Sequence, residues 1–407
     1  MKALAMSSRA WAVIVLVAAG AVLVSWAYFE SGQDDKSATR TTLSVAAALS
    51  GGDTEGFTRA YQPRKFVFPD DHGPHSDYKQ EWWYFTGNVD TISGRHFGFQ
   101  LTFFRVALAP FTERRSSAWA TNEVYMAHFT VSDIEGGRFY SFERFSRAAA
   151  GLAGASSSPL RVWLDDWSAE RGSPADSAHS ELALRLRAAE GRVKIDLSLS
   201  SAKPIVLQGE RGLSRKSATP GNASYYYSAT RLDTKGSIEI DRRRYQVTGL
   251  SWMDREWSTS ALDKGQIGWD WFALQFTDGR ELMFYRLRRR DGSVDRFSGG
   301  TLVDADGSAR SLSVRDVEID VRAYWQSPAT GVRYPSRWQV RIPGEGLKLD
   351  LSSQLPGQEL DLSVRYWEGA VGVTGSARGV PISGNGYVEL TGYGSSPADE
   401  NATSVAR

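Results

Sequence analysis

From about Phe57 onward the chain shows almost no sustained helical period, and its clearest segments alternate with a period of two. This constrains the fold more than any other feature, because successive side chains of a strand point to opposite faces. In Arg95–Arg105, Phe97, Phe99, Leu101 and Phe103 share one face. In Glu181–Arg187 the set is Leu182, Leu184 and Leu186, and in Val193–Leu199 it is Val193, Ile195, Leu197 and Leu199. Turn chemistry separates such runs: Glu135-Gly136-Gly137, Glu190-Gly191, Thr277-Asp278-Gly279, Arg290-Asp291-Gly292 and Ala305-Asp306-Gly307. The 14 Trp, 16 Tyr and 18 Phe suit strands and carry large apolar areas, and the 39 Gly suit many tight turns. The expected fold class is all-β, built of antiparallel barrels or sandwiches.

The 407 residues are enough for two domains with cores of their own. An echo suggests two similar halves: Glu81-Trp82 precedes Gln100 by 19 positions, and Glu256-Trp257 precedes Gln275 by the same distance. We place the join near Arg242–Gly249, giving domains over 57–245 and 246–395, with a polar tail at 396–407. Ahead of them, Lys2 and Arg9 flank an uncharged run from Ala10 to Phe29, an export signal or a membrane anchor. A polar tether follows at 30–56. The basic side of such a run stays in the cytoplasm, which places the bulk of the chain outside it. Lys and Arg (48) nearly balance Asp and Glu (47), so nothing draws the chain toward nucleic acid. The absence of cysteine excludes disulfides, thiolate metal sites and cysteine nucleophiles.

Four constellations can carry chemistry. Asp70-Asp71-His72-Gly73-Pro74-His75, ahead of Glu81-Trp82-Trp83-Tyr84, reads as an ordered loop or as zinc ligands, although its spacing fits no zinc pattern, and no metal is expected. In Trp252-Met253-Asp254-Arg255-Glu256-Trp257, either Arg255 is clamped by carboxylates or a carboxyl sits at the edge of an apolar cavity. There, desolvation by indoles would raise its pKa and make it a proton donor. Gly268–Phe276 is apolar on both faces, so it is covered twice, either by two protein layers or by one layer and a ligand. His128, in the strand-like Tyr125–Val131, is a core histidine or a catalytic one. The candidate acids are therefore Asp254 and Asp270, with His128 beside them. The candidate ligand-binding residues are Trp82, Trp83, Tyr84, Trp252, Trp257, Trp269, Trp271, Tyr285 and Trp367. There is no phosphate-cradling glycine loop, nucleophile elbow or dinucleotide fingerprint.

These segments, together with Ala223–Arg231, Tyr366-Trp367-Glu368-Gly369 and Glu389-Leu-Thr-Gly-Tyr393, resemble the lipocalin-like proteins grouped with AttH and carotenoid 1,2-hydratase (hydroxyneurosporene synthase). The resemblance runs from about Phe57 to Tyr393. It implies two consecutive lipocalin-like β domains, export to the periplasm and an association with an ABC-transporter permease. Hydratase members add water to a terminal carotenoid double bond by acid protonation without a cofactor, and Asp254 and Asp270 lie in the matching motifs. The chain looks nearer the exported AttH-like branch than the true hydratases. A hydrolase label also attaches to the family, but no nucleophile supports it. Three functions remain open: a carrier that holds a lipid or isoprenoid inside its barrels, a cofactor-free hydratase or lyase, and a non-catalytic accessory module.

Overall fold

The computed structural model describes residues 43–44, 54–110, 117–172, 182–259 and 262–394. The apolar run at 10–29, most of the tether and the polar tail lie outside the described residues. No helix among the described residues is long and apolar enough to cross a membrane.

The chain is all-β, as its period predicts. The first sheet contains β1 (Gln80–Asp90), β2 (His96–Ala107), β3 (Glu123–Asp133), β4 (Arg138–Arg147), β5 (Ala223–Ile240) and β6 (Arg243–Ser258). Its order is β4-β3-β2-β1-β6-β5, continued by Val193–Ser201, Ala183–Glu190, Trp167–Arg171, Leu160–Leu164 and Ala153–Ser157. The path curls until its ends meet. Arg144 of β4 donates Nε to Glu190 (2.9 Å), and its guanidinium lies 4.5 Å over the Trp167 ring. The result is a nearly closed barrel.

The second sheet contains β7 (Gln266–Phe276), β8 (Glu281–Arg289), β9 (Val364–Ala377) and β10 (Val380–Thr391). From Gly299–Val303 it runs β8-β7-β10-β9 and on to Leu347–Ser353, Arg333–Ile342 and Glu318–Gln326, a half-barrel. The turns between these strands use the expected glycines. Gly279, Gly292 and Gly307 all have φ between +83° and +88°, where only a residue without Cβ is unstrained.

The join lies later than the sequence suggested. The strand Arg243–Ser258 pairs with β5 and β1 and belongs wholly to the first sheet, so the chain changes sheets between Ser258 and Gln266. The Glu-Trp echo therefore does not mark two halves: Trp257 sits opposite Glu81 in the same sheet.

Each sheet fills its own interior. Phe97, Phe99, Leu101 and Phe103, the face read from the sequence, pack with Trp83, Phe129, Trp167, Leu186 and Leu197. Phe272, Trp338, Trp367 and Leu349 fill the second sheet. Apolar side chains therefore line the interior of each sheet. The outer faces of β1, β2, β5 and β6 instead pack against β7, β9 and β10. Asn88 Nδ2 donates to Gly386 O (3.1 Å), Gln275 Nε2 to Ser251 O (2.9 Å) and Gln100 Nε2 to Tyr366 Oη (3.1 Å). At Gly98 the sheets approach so closely that a Cβ would sit 2.8 Å from both Ala370 Cβ and Tyr387 Oη.

Candidate active site

Between the two sheets lies a chamber, open to solvent, with a free volume of about 90 Å³. Period-two alternation decides which side chains reach it. On β6, Trp252, Asp254, Glu256 and Ser258 face the second sheet, while Arg255 and Trp257 face the other way. Trp82 and Tyr84 from β1, Phe104 from β2 and Tyr226 from β5 complete the first wall. Trp269 and Trp271 from β7, Tyr285 and Leu287 from β8 and Glu389 from β10 form the second. Lys216 and Leu262, from connecting segments, close the edge.

Asp254 is 3% exposed and forms no ion pair among the described residues. Its Oδ1 accepts from Ser228 Oγ (2.5 Å) and Trp252 Nε1 (2.7 Å), and its Oδ2 from the Tyr226 hydroxyl. Trp271 Nε1 in turn donates to that hydroxyl (3.1 Å). Burial pushes the Asp254 carboxyl up to about 7, even though these donors favour the ionised form, and Glu256 adds repulsion. Glu389 accepts from Trp269 Nε1 (2.6 Å), and burial raises it to about 7 as well. Across the β9–β10 ladder from Glu389 is Glu368, whose Oε1 accepts from Tyr84 (2.6 Å). Burial and then Glu389 hold Glu368 well above the ordinary carboxylate range. The one cation in the wall, Lys216, is bound to Glu256 (2.9 Å) and lies 4.5 Å over the Tyr285 ring. Two carboxyls shifted up toward neutrality in an indole-lined space with a buried tyrosine make this the candidate acid–base site of the molecule.

Of the residues singled out from the sequence, Trp82, Tyr84, Asp254, Trp269, Trp271 and Tyr285 meet in this chamber. Trp252 stands behind Asp254 and orients it. The others lie elsewhere. Asp270 is on the opposite face of β7, outside the chamber lining, where Arg286 (2.5 Å), Arg288 (2.9 Å) and the Tyr393 hydroxyl (3.0 Å) hold it. Trp83 faces the first core and donates to His72 O (2.9 Å). Trp257 stacks on His75 at 3.7 Å. Trp367 faces the second core and donates to Pro356 O (2.8 Å). His128 lies behind Phe104, between Tyr366 Oη (2.7 Å) and Glu143 (3.1 Å), outside the chamber wall. His72 and His75 are bound to Tyr227 (2.6 Å) and Asp71 (3.0 Å), and among the described residues no group of three or more His, Asp or Glu is arranged to hold a metal.

The sequence reading missed Lys216, Tyr226, Glu256 and Glu389 as wall residues. The period of β6 carried the signal for Glu256, two positions from Asp254. Tyr226 and Glu389 needed the pairing of distant strands.

The AttH-like family matches this chain over residues 59–393. The crystal structure of an AttH-type protein of Nitrosomonas europaea is similar at 34% identity and TM-score 0.71, covering 81% of this chain and 98% of that one. Kievitone hydratase of Fusarium solani subsp. phaseoli is 27% identical over 176 residues, 41% of this chain and about half (49%) of that protein's length. The structure of kievitone hydratase from Nectria haematococca shares the fold at TM-score 0.61 and 16% identity, covering 85% of this chain and 98% of that one. Sequence motifs, sheet architecture and the span of the family match agree: the chain belongs to the AttH-like family.

Proposed function

We propose that this protein binds a hydrophobic molecule bearing an isoprenoid-type alkene between its two sheets and adds water across that alkene, or removes it, by acid–base chemistry of the hydratase kind. The observation that carries this reading is Asp254: a desolvated carboxyl with no paired cation, placed in an aromatic wall. Burying such a group costs stability, and passive carriage of an apolar ligand gains nothing from that cost. A protonated Asp254 donates to the alkene carbon. The carbocation that forms lies among the faces of Trp82, Trp269 and Trp271, whose quadrupoles favour positive charge. The hydratase name of the similar Fusarium protein supports the same reading.

We further propose that the chain works outside the cytoplasm, beside an ABC-type permease. The apolar run at 10–29 and the family resemblance support this, and cell fractionation with cross-linking tests it.

The test of the chemistry uses geraniol as probe in ¹⁸O-labelled water. Hydrated product carrying ¹⁸O is expected from the native protein. Asp254→Asn should bind geraniol, read by quenching of tryptophan fluorescence, but yield no product. Equal turnover by Asp254→Asn and the native protein would reject the reading.

A further inference from the structure

An acid that protonates an alkene is half of a hydration. The incoming water must lose a proton, and Asp254 cannot take it while serving as the donor. Of the other two carboxyls in the wall, Glu256 is held by Lys216 (2.9 Å), which leaves Glu389, half-buried and in contact with the chamber, with Trp269 Nε1 on its Oε1 (2.6 Å). Behind it, Glu368 is fully buried. Its Oε1 takes the Tyr84 hydroxyl, and among the described residues no hydroxyl, amide or cation donates to its Oε2. The register places Glu368 directly opposite Glu389 on one face of the ladder, where each carboxyl sets the protonation of the other. No cation forms an ion pair with either among the described residues. Arg286 and Arg288, across β7, are committed to Asp270 on the far face, and Arg365, on β9 itself, is bound to Asp361 (3.0 Å). Two carboxyls at cross-strand distance without a cation resist ionising together.

We propose that Glu368 and Glu389 share a single proton and that Glu389, the member open to the chamber, is the base that takes a proton from the attacking water. The inference rests on the hydratase reading above and assigns the second half of its chemistry. The steps balance. The alkene π pair takes the proton of Asp254, leaving a carbocation and the Asp254 carboxylate. A lone pair of water forms the C–O bond, and the water proton passes to Glu389. Proton return from Glu389 to Asp254 through chamber water restores both groups, with one water consumed. In the dehydration direction Glu389 protonates the leaving hydroxyl and Asp254 takes the adjacent C–H proton. Burying one negative charge on the pair, instead of two, also places an anion beside the developing carbocation.

The groups facing Glu389 are Glu368 from β9, Tyr84 from β1, Asp254 and Glu256 from β6, Tyr226 from β5, Tyr285 from β8 and Lys216, which Glu256 already holds. Its titration is therefore read in variants that change one neighbour at a time. In protein labelled with ¹³C at glutamate Cδ, the Glu368 and Glu389 resonances should titrate together in two steps. Glu368→Gln should leave Glu389 with a single step and abolish the one at higher pH. Independent titration of the two, each unmoved by loss of the other, would overturn the shared proton.

Turnover of geraniol in D₂O separates the catalytic roles. Glu389→Gln should lower alcohol formation about 10²-fold while deuterium still exchanges into the alkene, because Asp254 still forms the carbocation. Asp254→Asn should lose both. A structural role for Glu389 would lower both together, and alcohol formation by Glu389→Gln equal to the native rate would overturn the assignment. Absence of turnover in the native protein would instead count against the hydratase reading, and the labelled-glutamate titration would still decide the carboxyl pair.

Discussion

The two faces of β6 carry opposite electrostatic solutions within one hexapeptide. On the face turned toward the first core, Arg255 reaches Glu81, donates to Gly73 O (2.6 Å) and lies 3.8 Å over the Trp83 ring, and Arg105 closes on the other oxygen of Glu81. All three charged groups are 0% exposed, and the two arginines hold the Glu81 carboxyl far below its ordinary range against the opposing effect of burial. On the other face, Asp254 is just as buried but has only hydroxyl and indole donors, and its pKa moves up. A buried carboxylate matched by guanidinium is a fixed structural anion. The same group without a cation is a proton store. The difference separates the part of the motif that holds the fold from the part that faces a substrate.

The largest effect should come from unbalancing the matched face. Arg255→Leu leaves Glu81 with one guanidinium instead of two and strips the cover from Trp83. We expect a loss of about 3–5 kcal/mol in urea unfolding, the usual cost of orphaning one partner of a buried pair. A loss below 1 kcal/mol would break the contrast. Next comes the unmatched face. Asp254→Asn should reduce turnover by at least about 10²-fold, roughly 3 kcal/mol on the barrier. Its folding stability at neutral pH should hold or rise, since an unpaired buried carboxyl is replaced by a neutral isostere. Stability lost in parallel with activity would make Asp254 a structural residue like Glu81.

How much of this was legible in the chain follows from the same geometry. The alternation of Phe97, Phe99, Leu101 and Phe103 is local, and it gave the inward face of β2 correctly. Asp254 was legible because tryptophans at 252 and 257 bracket it. Asp270 looked equivalent, bracketed by Trp269 and Trp271, yet Arg286 and Arg288 meet it across the β7–β8 hairpin. Which face of a doubly covered strand holds the ligand depends on partners many residues away. Placement of the chamber was not legible for the same reason. Strands with two apolar faces fit a ligand-filled barrel as well as two packed sheets, and only the long-range pairing places the chamber between them. Glu368 and Glu389 are separated by a hairpin, so their pairing was readable in principle. What was not readable was that, among the described residues, no arginine forms an ion pair with them.

A smaller effect distinguishes the two faces by pH. Asp254 ionises near 3.8 in an unfolded chain and near 7 when folded. Between those values the folded state carries the extra proton, so its contribution makes stability fall as pH rises and levels off above about 7. Glu389 acts in the same direction from 4.5 to about 7. Glu81 runs the other way: its folded pKa is lowered, so its stabilisation is present above 4.5 and is lost as pH drops further. Urea unfolding should therefore show a native protein less stable at pH 7.5 than at pH 5, by about 1–3 kcal/mol once the opening of the chamber to solvent is allowed for. Asp254→Asn should flatten part of that decline. An unchanged slope in the variant would mean that Asp254 is ionised in the folded state throughout.

The smallest expected change tests where the unmatched region ends. His128 is 0% exposed and joins β3 to the second sheet through Tyr366 (2.7 Å) and to β4 through Glu143 (3.1 Å), while Glu143 also accepts from Ser363 Oγ (2.6 Å) near the surface. As a bridge between sheets it contributes hydrogen bonds worth about 1 kcal/mol, and His128→Gln should cost about that much stability and leave turnover of geraniol unchanged. The alternative is specific. Tyr366 lies two positions from Glu368 on the same face of β9, so the chain Glu143–His128–Tyr366 leads from the protein surface toward the carboxyl pair. If His128→Gln kept its stability but slowed turnover, and did so more at high pH where protons are scarce, then the histidine would belong to a route that reloads Glu368 and Glu389. The boundary between holding charge and moving protons would then run through β3 and not along β6.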